Sequence, residues 1–176
     1  MDLARYALTS QGEQIHIAAW PAISALSHDP SSRIFDDLTE AAARHHAAAG
    51  QCFVLNAQSC IDAATIERLG LKDRPEMIRE GGGWSAIIGP MGRIIAGPHR
   101  DTEAILVGEL DFTEIAMFKY VSDSAGHYAR PDVLRLEVNY EPQSITAPPN
   151  RPGAGAVSPG DVDSASRSHP APRLPK

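Results

Sequence analysis

GGGWSAIIGPMGRIIAGP, residues 81–98, decides how the fold is read. Two apolar runs, 84–88 and 93–96, flank Gly89-Pro90-Met91-Gly92. Proline at the second position of a turn sets φ near the value that a type I or II turn needs, and glycine near the end accepts backbone angles that other residues avoid. The pattern predicts a tight β-hairpin. Ser85 and Gly89 interrupt the runs only lightly, so both strands are expected to be mostly buried. Composition alone would place such a hairpin in the core of any α/β domain. The glycine run 81–83 precedes a strand rather than following one, so it is not a phosphate-binding loop.

Upstream, CFVLNA (52–57) has the continuous apolar run of a strand covered on both faces. Residues 14–20 alternate and then turn apolar, which predicts a parallel strand ending at Trp20-Pro21. Between these strands a helix is expected from Ser31 or Ser32 as N-cap to about Ala49. Phe35, Leu38, Ala42, His45 and His46 recur at helical spacing there, and Gly50 suits the position after the helix. A short helix over 3–10 comes first. Two more, at 62–69 and 75–79, flank Lys72-Asp73-Arg74. Downstream, 104–110 reads as a strand. A helix over 112–120 follows, capped by Asp111 with Glu114 three residues on in a capping-box pattern. Residues 134–138 read as a last strand. The order α, β, α, β, short helices, β-hairpin, β, α, β predicts an α/β layered fold.

The chain has 176 residues, 43% of them hydrophobic and 22% charged, an ordinary globular composition. Its formal charge of −6 argues against a nucleic-acid partner, which would usually call for a basic face. No run of about 18 apolar residues is present, so no membrane-spanning helix is expected, and the first ten residues do not read as a signal peptide. Two cysteines make no disulfide framework, and a reducing, cytoplasmic setting is expected. From Tyr140 the composition changes. Residues 141–176 hold eight of the fourteen prolines and almost no large apolar side chains. Such a segment cannot offset its ordering entropy, so a disordered tail is expected at 141–176 beside a domain at 1–140.

Candidate chemistry is sparse. Cys52 lies inside an apolar strand, where burial raises a thiol pKa and makes it inert. Cys60 follows that strand, a better place for a nucleophile, but no signature surrounds it. The seven histidines are scattered, none at i, i+4 spacing beside a carboxylate, and no metal site is expected. Trp20 and Pro21 close a parallel strand at its carboxyl end, where α/β sheets tend to place ligand contacts. A core or interface aromatic would explain Trp20 equally. His127 lies in GHYARPDV beside Arg130 and Asp132, where a local hydrogen-bonded corner competes with a binding role.

GEQIHIAAWPA (12–22), CFVLNAQ (52–58), the hairpin at 81–98, ILVGELDFTEIAMFKYVSD (105–123) and GHYARPDVLRLEVN (126–139) together resemble the second half of a nitrilase, of the carbon–nitrogen hydrolase superfamily. The pieces keep the family's order and spacing over roughly 3–139. Gly-His-Tyr-x-Arg-Pro-Asp-Val is the most specific of them and favours nitrilases over amidases or carbamoylases. The resemblance implies half of an α-β-β-α sandwich and no metal or organic cofactor. It also implies chemistry in which a cysteine thiolate attacks a nitrile carbon, helped by a glutamate base and a lysine. The cysteine elbow would lie just before the helix at 3–10, and the glutamate and lysine earlier still. None of Glu13, Glu40, Lys72, Lys119, Cys52 and Cys60 sits in the family's catalytic motifs.

The chain therefore reads as a truncated nitrilase, inactive alone, with Trp20, Pro21 and His127 as candidate substrate contacts. Its partners would be a small-molecule nitrile once complemented, and either a homo-oligomer or the missing amino-terminal half. Two other readings stay open. One is a non-catalytic assembly module that pairs with a catalytic half or a full-length nitrilase. The other is a small independent hydrolase using Cys60.

Overall fold

The hairpin forms, and its turn shows why one was needed there. In the computed structural model, which describes residues 2–23, 26–29 and 31–140, Met91 takes φ 72 and ψ 8, and the Gly92 amide donates to the Gly89 carbonyl at 3.0 Å. These are the angles and the bond of a type II turn. The left-handed position therefore falls on a methionine. Gly92 is also left-handed, at φ 77, and a Cβ there would stand 3.0 Å from the Arg44 carbonyl oxygen. Arg44 Nε in turn donates to the Gly92 carbonyl at 3.0 Å, so the turn is docked onto a helix.

That helix, α2, spans Ile34–Gly50; α1 (Asp2–Ser10) precedes β1 (Ile15–Trp20), and β2 is Phe53–Gln58. After α3 (Ala63–Arg68) the hairpin strands β3 (Ser85–Ile88) and β4 (Ile94–His99) follow, and α4 is Thr113–Val121. The sheet order is β1-β2-β3-β4. β1 and β2 run parallel with Ile15 opposite Phe53, and β2–β3 and β3–β4 are antiparallel. The mixed α/β class expected from the sequence is the one observed. Chain contacts divide at Val138: Met1–Val138 is one compact unit, described here, and Asn139–Lys176 is the other. The expected tail at 141–176 lies outside the described residues. No helix among the described residues is long and apolar enough to cross a membrane.

The core lies between α2 and one sheet face. Ala43 and Ala47 of α2 pack on Cys52, Val54, Trp84, Ala86 and Ile88. Small residues at 43 and 47 let the helix approach closely enough to seal Trp84 completely. Several expectations fail here for identifiable reasons. The helix turns Phe35, Asp36, Thr39, Ala43, His46, Ala47 and Gly50 inward and leaves Leu38 and His45 outside. It starts after Arg33 with no side-chain cap, and Asp36 and Asp37 in its first turn face the positive end of the helix dipole instead. At the other end the left-handed residue is Gln51, at φ 46, and Gly50 is still helical.

The second sheet face is largely open, contrary to the expected two-sided burial. Val54, Asn56 and Gln58 are buried under α2, whereas Leu55 is half-buried and Ala57 exposed on the other side. Phe53, covered by Phe112 with ring centroids 5.5 Å apart, and Ile87 are exceptions. Ile17 on β1 is 74% exposed, and β4 is a half-buried edge rather than a buried strand. Residues 104–110 alternate between exposed and half-buried but join no ladder among the described residues, and 134–138 join none either. Gly108 rests on the open face, where a Cβ would meet Ile87 Cδ1 at 3.3 Å, while Ile105 and Val107 are 93% and 83% exposed. A strand pattern without a neighbouring strand stays unpaired. Residues 75–79 form turns, not a helix. The Asp111 carboxylate does accept from Thr113 N and Oγ1, at 2.9 and 2.7 Å, but Glu114 pairs with Arg93 at 3.1 Å and closes no capping box.

Candidate functional site

At the carboxyl ends of β1 and β2 lies a cavity of about 420 Å³ lined in part by Trp20, Ser59, Cys60, His99, Thr102 and Glu103. Its floor is held by a buried polar network. The Trp20 indole N–H donates to Asn56 Oδ1 at 2.8 Å, and its ring meets Phe35 edge-on at 6.1 Å. Asn56 Nδ2 donates to the Trp84 carbonyl at 2.6 Å. Gln58 Nε2 donates to the buried Asp36 carboxylate at 3.0 Å, and Trp84 N donates to Gln58 Oε1 at 3.0 Å. Arg33 approaches Asp36 at 3.3 Å and also forks onto Asp101 at 3.1 and 2.9 Å. That fork, with the Gly82 amide, holds the Asp101 carboxyl below the usual carboxylate range. Asn56, an inward polar residue of β2, thus fixes Trp20 in place.

Replacing Asn56 by alanine strands the Trp20 indole and the Trp84 carbonyl together. We expect a loss of about 2–3 kcal/mol, since each buried bond is worth roughly 0.5–1.5 kcal/mol and each orphaned group adds to the cost. Chemical denaturation should show it as a lower midpoint at an unchanged slope.

Of the three residues predicted to contact substrate, Trp20 lines the cavity. Pro21, exposed just beyond the end of β1, does not. Nor does His127, which is exposed with its ring 4.7 Å from Tyr128. The corner around His127 is local. Asp123 Oδ1 accepts from the Ala125 and Gly126 amides at 3.2 and 3.0 Å, and Arg130 forks onto Asp132 at 2.8 and 2.6 Å. Cys60 lies in the same cavity as His99, whose Nε2 meets Thr102 Oγ1 at 2.9 Å.

Cys52 is fully buried, and burial, with the Glu13 charge adding to it, pushes its thiol up to about 12. A raised thiol pKa favours the folded chain while the thiol stays protonated. That contribution is present below pH 9.0, the ordinary thiol value, and is lost as the pH rises through about 12. At mildly alkaline pH we expect iodoacetamide to modify Cys60 alone. Cys52 should react only after denaturation, as mass spectrometry of the two cysteine peptides would show.

A second cluster sits at the opposite end of β1. The Glu13 carboxylate meets His16 Nδ1 at 2.7 Å and His46 Nε2 at 2.8 Å, and the two imidazoles stack 3.8 Å apart. Burial lowers the His46 pKa, and the bond to Glu13 opposes that shift. No spacing in the sequence marks this trio, because a loop, a strand and a distant helix contribute one residue each.

The carbon-nitrogen hydrolase family model matches residues 1–120. The chain belongs to the carbon–nitrogen hydrolase family. It is 40% identical over 142 residues to a nitrilase of Pseudomonas syringae pv. syringae (strain B728a), covering 80% of this chain and 42% of that protein. It is 39% identical over 152 residues to an aliphatic nitrilase of Rhodococcus rhodochrous, covering 82% of this chain and 39% of that protein. Among solved structures, a carbon-nitrogen hydrolase from Helicobacter pylori G27 superposes with a TM-score of 0.50 at 18% identity, over 68% of this chain and 39% of that one. The chain thus spans about two fifths of the length of these curated relatives.

Proposed function

We propose that these 176 residues supply the carboxyl-terminal, substrate-facing part of a nitrilase, and that the nucleophilic cysteine, the glutamate base and the lysine come from residues outside this chain. The observation that carries the proposal is the cavity at the carboxyl ends of two parallel strands, with Trp20 held over it by Asn56. The open second face of the sheet supports it too, since an amino-terminal half would cover that face. In the completed enzyme the thiolate adds to the nitrile carbon and the nitrogen takes a proton, giving a thioimidate. Water then displaces ammonia, and a second water releases the carboxylate and regenerates the thiol. Trp20 walls the side of the cavity where the organic group of the nitrile would lie. The partner is the missing half, or a second copy when the enzyme assembles further.

The test is to complement the chain with the amino-terminal segment of a related nitrilase and compare Trp20→Ala with the parent. Lost packing on the organic group should weaken kcat/KM by roughly 10–200-fold, the range for one hydrophobic contact in a pocket. Unchanged kinetics would remove Trp20 from the site. A second reading rests on one observation, the shared cavity of Cys60, His99 and Glu103. There Cys60 would be the nucleophile of a small independent hydrolase.

A further inference from the structure

We propose that Glu13, His16 and His46 form a binding site for a divalent transition-metal cation, zinc above all, that pins the start of β1 to α2. One donor atom from each residue lies within 4.8 Å of the other two. Glu13 and His46 are largely buried, and the His16 side chain is 25% exposed, which leaves a solvent path on its side. Two imidazoles and a carboxylate are borderline donors suited to zinc, copper or nickel and poorly suited to calcium or magnesium, which take oxygen ligands.

The carboxylate contacts need little change, while the two stacked rings, 23° apart in plane, must splay so that both lone pairs meet one ion. Zinc holds nitrogen and oxygen at about 2.0–2.2 Å, so ligand atoms on a tetrahedron stand about 3.3 Å apart. The present contacts of 2.7 and 2.8 Å between Glu13 and the two histidines would open by roughly half an ångström to admit the ion. His16 Nδ1 and His46 Nε2 would present lone pairs, each ring carrying its proton on the other nitrogen. A water completes the fourth position from the His16 side. The site is separate from the Trp20 cavity, because four residue steps along the strand, roughly 13 Å, separate His16 from Trp20. Its role is structural: the three ligands join the loop after α1, the start of β1 and the last turns of α2. An ion that binds only the folded chain stabilises it by mass action.

The test is titration of the metal-free full chain with zinc(II), and separately with cobalt(II), near neutral pH. We expect one zinc per chain, the visible absorption of four-coordinate cobalt(II), and a thermal midpoint raised by on the order of 10 °C at saturating zinc. Glu13→Gln and His16→Gln should weaken binding by at least 10–100-fold, the loss seen even for outer-shell partners. His45→Gln, on the neighbouring exposed histidine, should leave it unchanged. His46→Gln is buried and would be read only if its circular dichroism matches the parent, and His16→Gln, on the open side, decides the matter otherwise. No zinc binding by the parent chain would overturn the proposal. So would binding that Glu13→Gln and His16→Gln leave intact, which would mean adventitious capture by the exposed histidines.

Discussion

The 176-residue chain alone is expected to release no ammonia from aliphatic or aromatic nitriles. Nitrile hydrolysis of the family's type needs an activated thiolate, a base and a cation for the developing charge. In the proposed reading the family's thiolate, base and lysine all come from residues outside this chain. Cys52 is sealed under α2 with its thiol pushed up to about 12, so it stays protonated near neutral pH. Removing residues that act as a catalytic unit commonly lowers the rate by on the order of 10³–10⁶-fold. Ammonia measured against a protein-free control should therefore stay at background. Release that Cys60→Ala abolishes would instead establish the small-hydrolase reading, with His99 and Glu103 as the neighbours to examine next.

The isolated chain is also expected to self-associate at low concentration and to bind apolar dyes. Ile17 on β1 and Ile105 and Val107 on the unpaired segment stand almost fully in water, and Leu134 and Val138 on the other unpaired segment are exposed too. The open sheet face adds half-buried Leu55, which lines a shallow groove with Ile17, Ile87 and Leu106. A monomer's largest apolar patch is usually about 300–600 Å², and β1 and β4 both offer unpaired edges beside this one. Covering the face should raise stability by about 25 cal/mol for each Å² of apolar surface withdrawn from water. Lysine substitutions at Ile105 and Val107, which touch little in the folded chain, should raise solubility without lowering the thermal midpoint. An unchanged tendency to associate would place the sticky surface elsewhere.

What the sequence made legible was local. β1, β2 and β3 fall within a residue of their expected places, and β4 runs three residues past its expected end, because apolar runs bounded by glycine and proline carry the signal. Phe35 and His46 of the α2 set do turn inward, but alanines, a threonine and an aspartate complete the inner face while the larger Leu38 faces water. Residues 104–110 and 134–138 have the alternation of strands, but a ladder also needs a neighbour, and that is not a local property. The site divides the same way. Trp20 could be found from its place at the end of a parallel strand. Nothing local shows that Asn56 fixes it, or that His46 meets Glu13 and His16, since both depend on how α2 and β2 pack on β1.

Co-expression with the amino-terminal segment of a related nitrilase, the one carrying that family's glutamate, lysine and cysteine, tests the central claim most directly. The chain is expected to co-purify with that segment as a defined complex, to lose its dye binding, and to hydrolyse nitriles that neither part hydrolyses alone. A chain that ignores the segment, sediments as a sharp monomer, melts cooperatively and binds no dye would contradict the account, because its open sheet face would then need no covering.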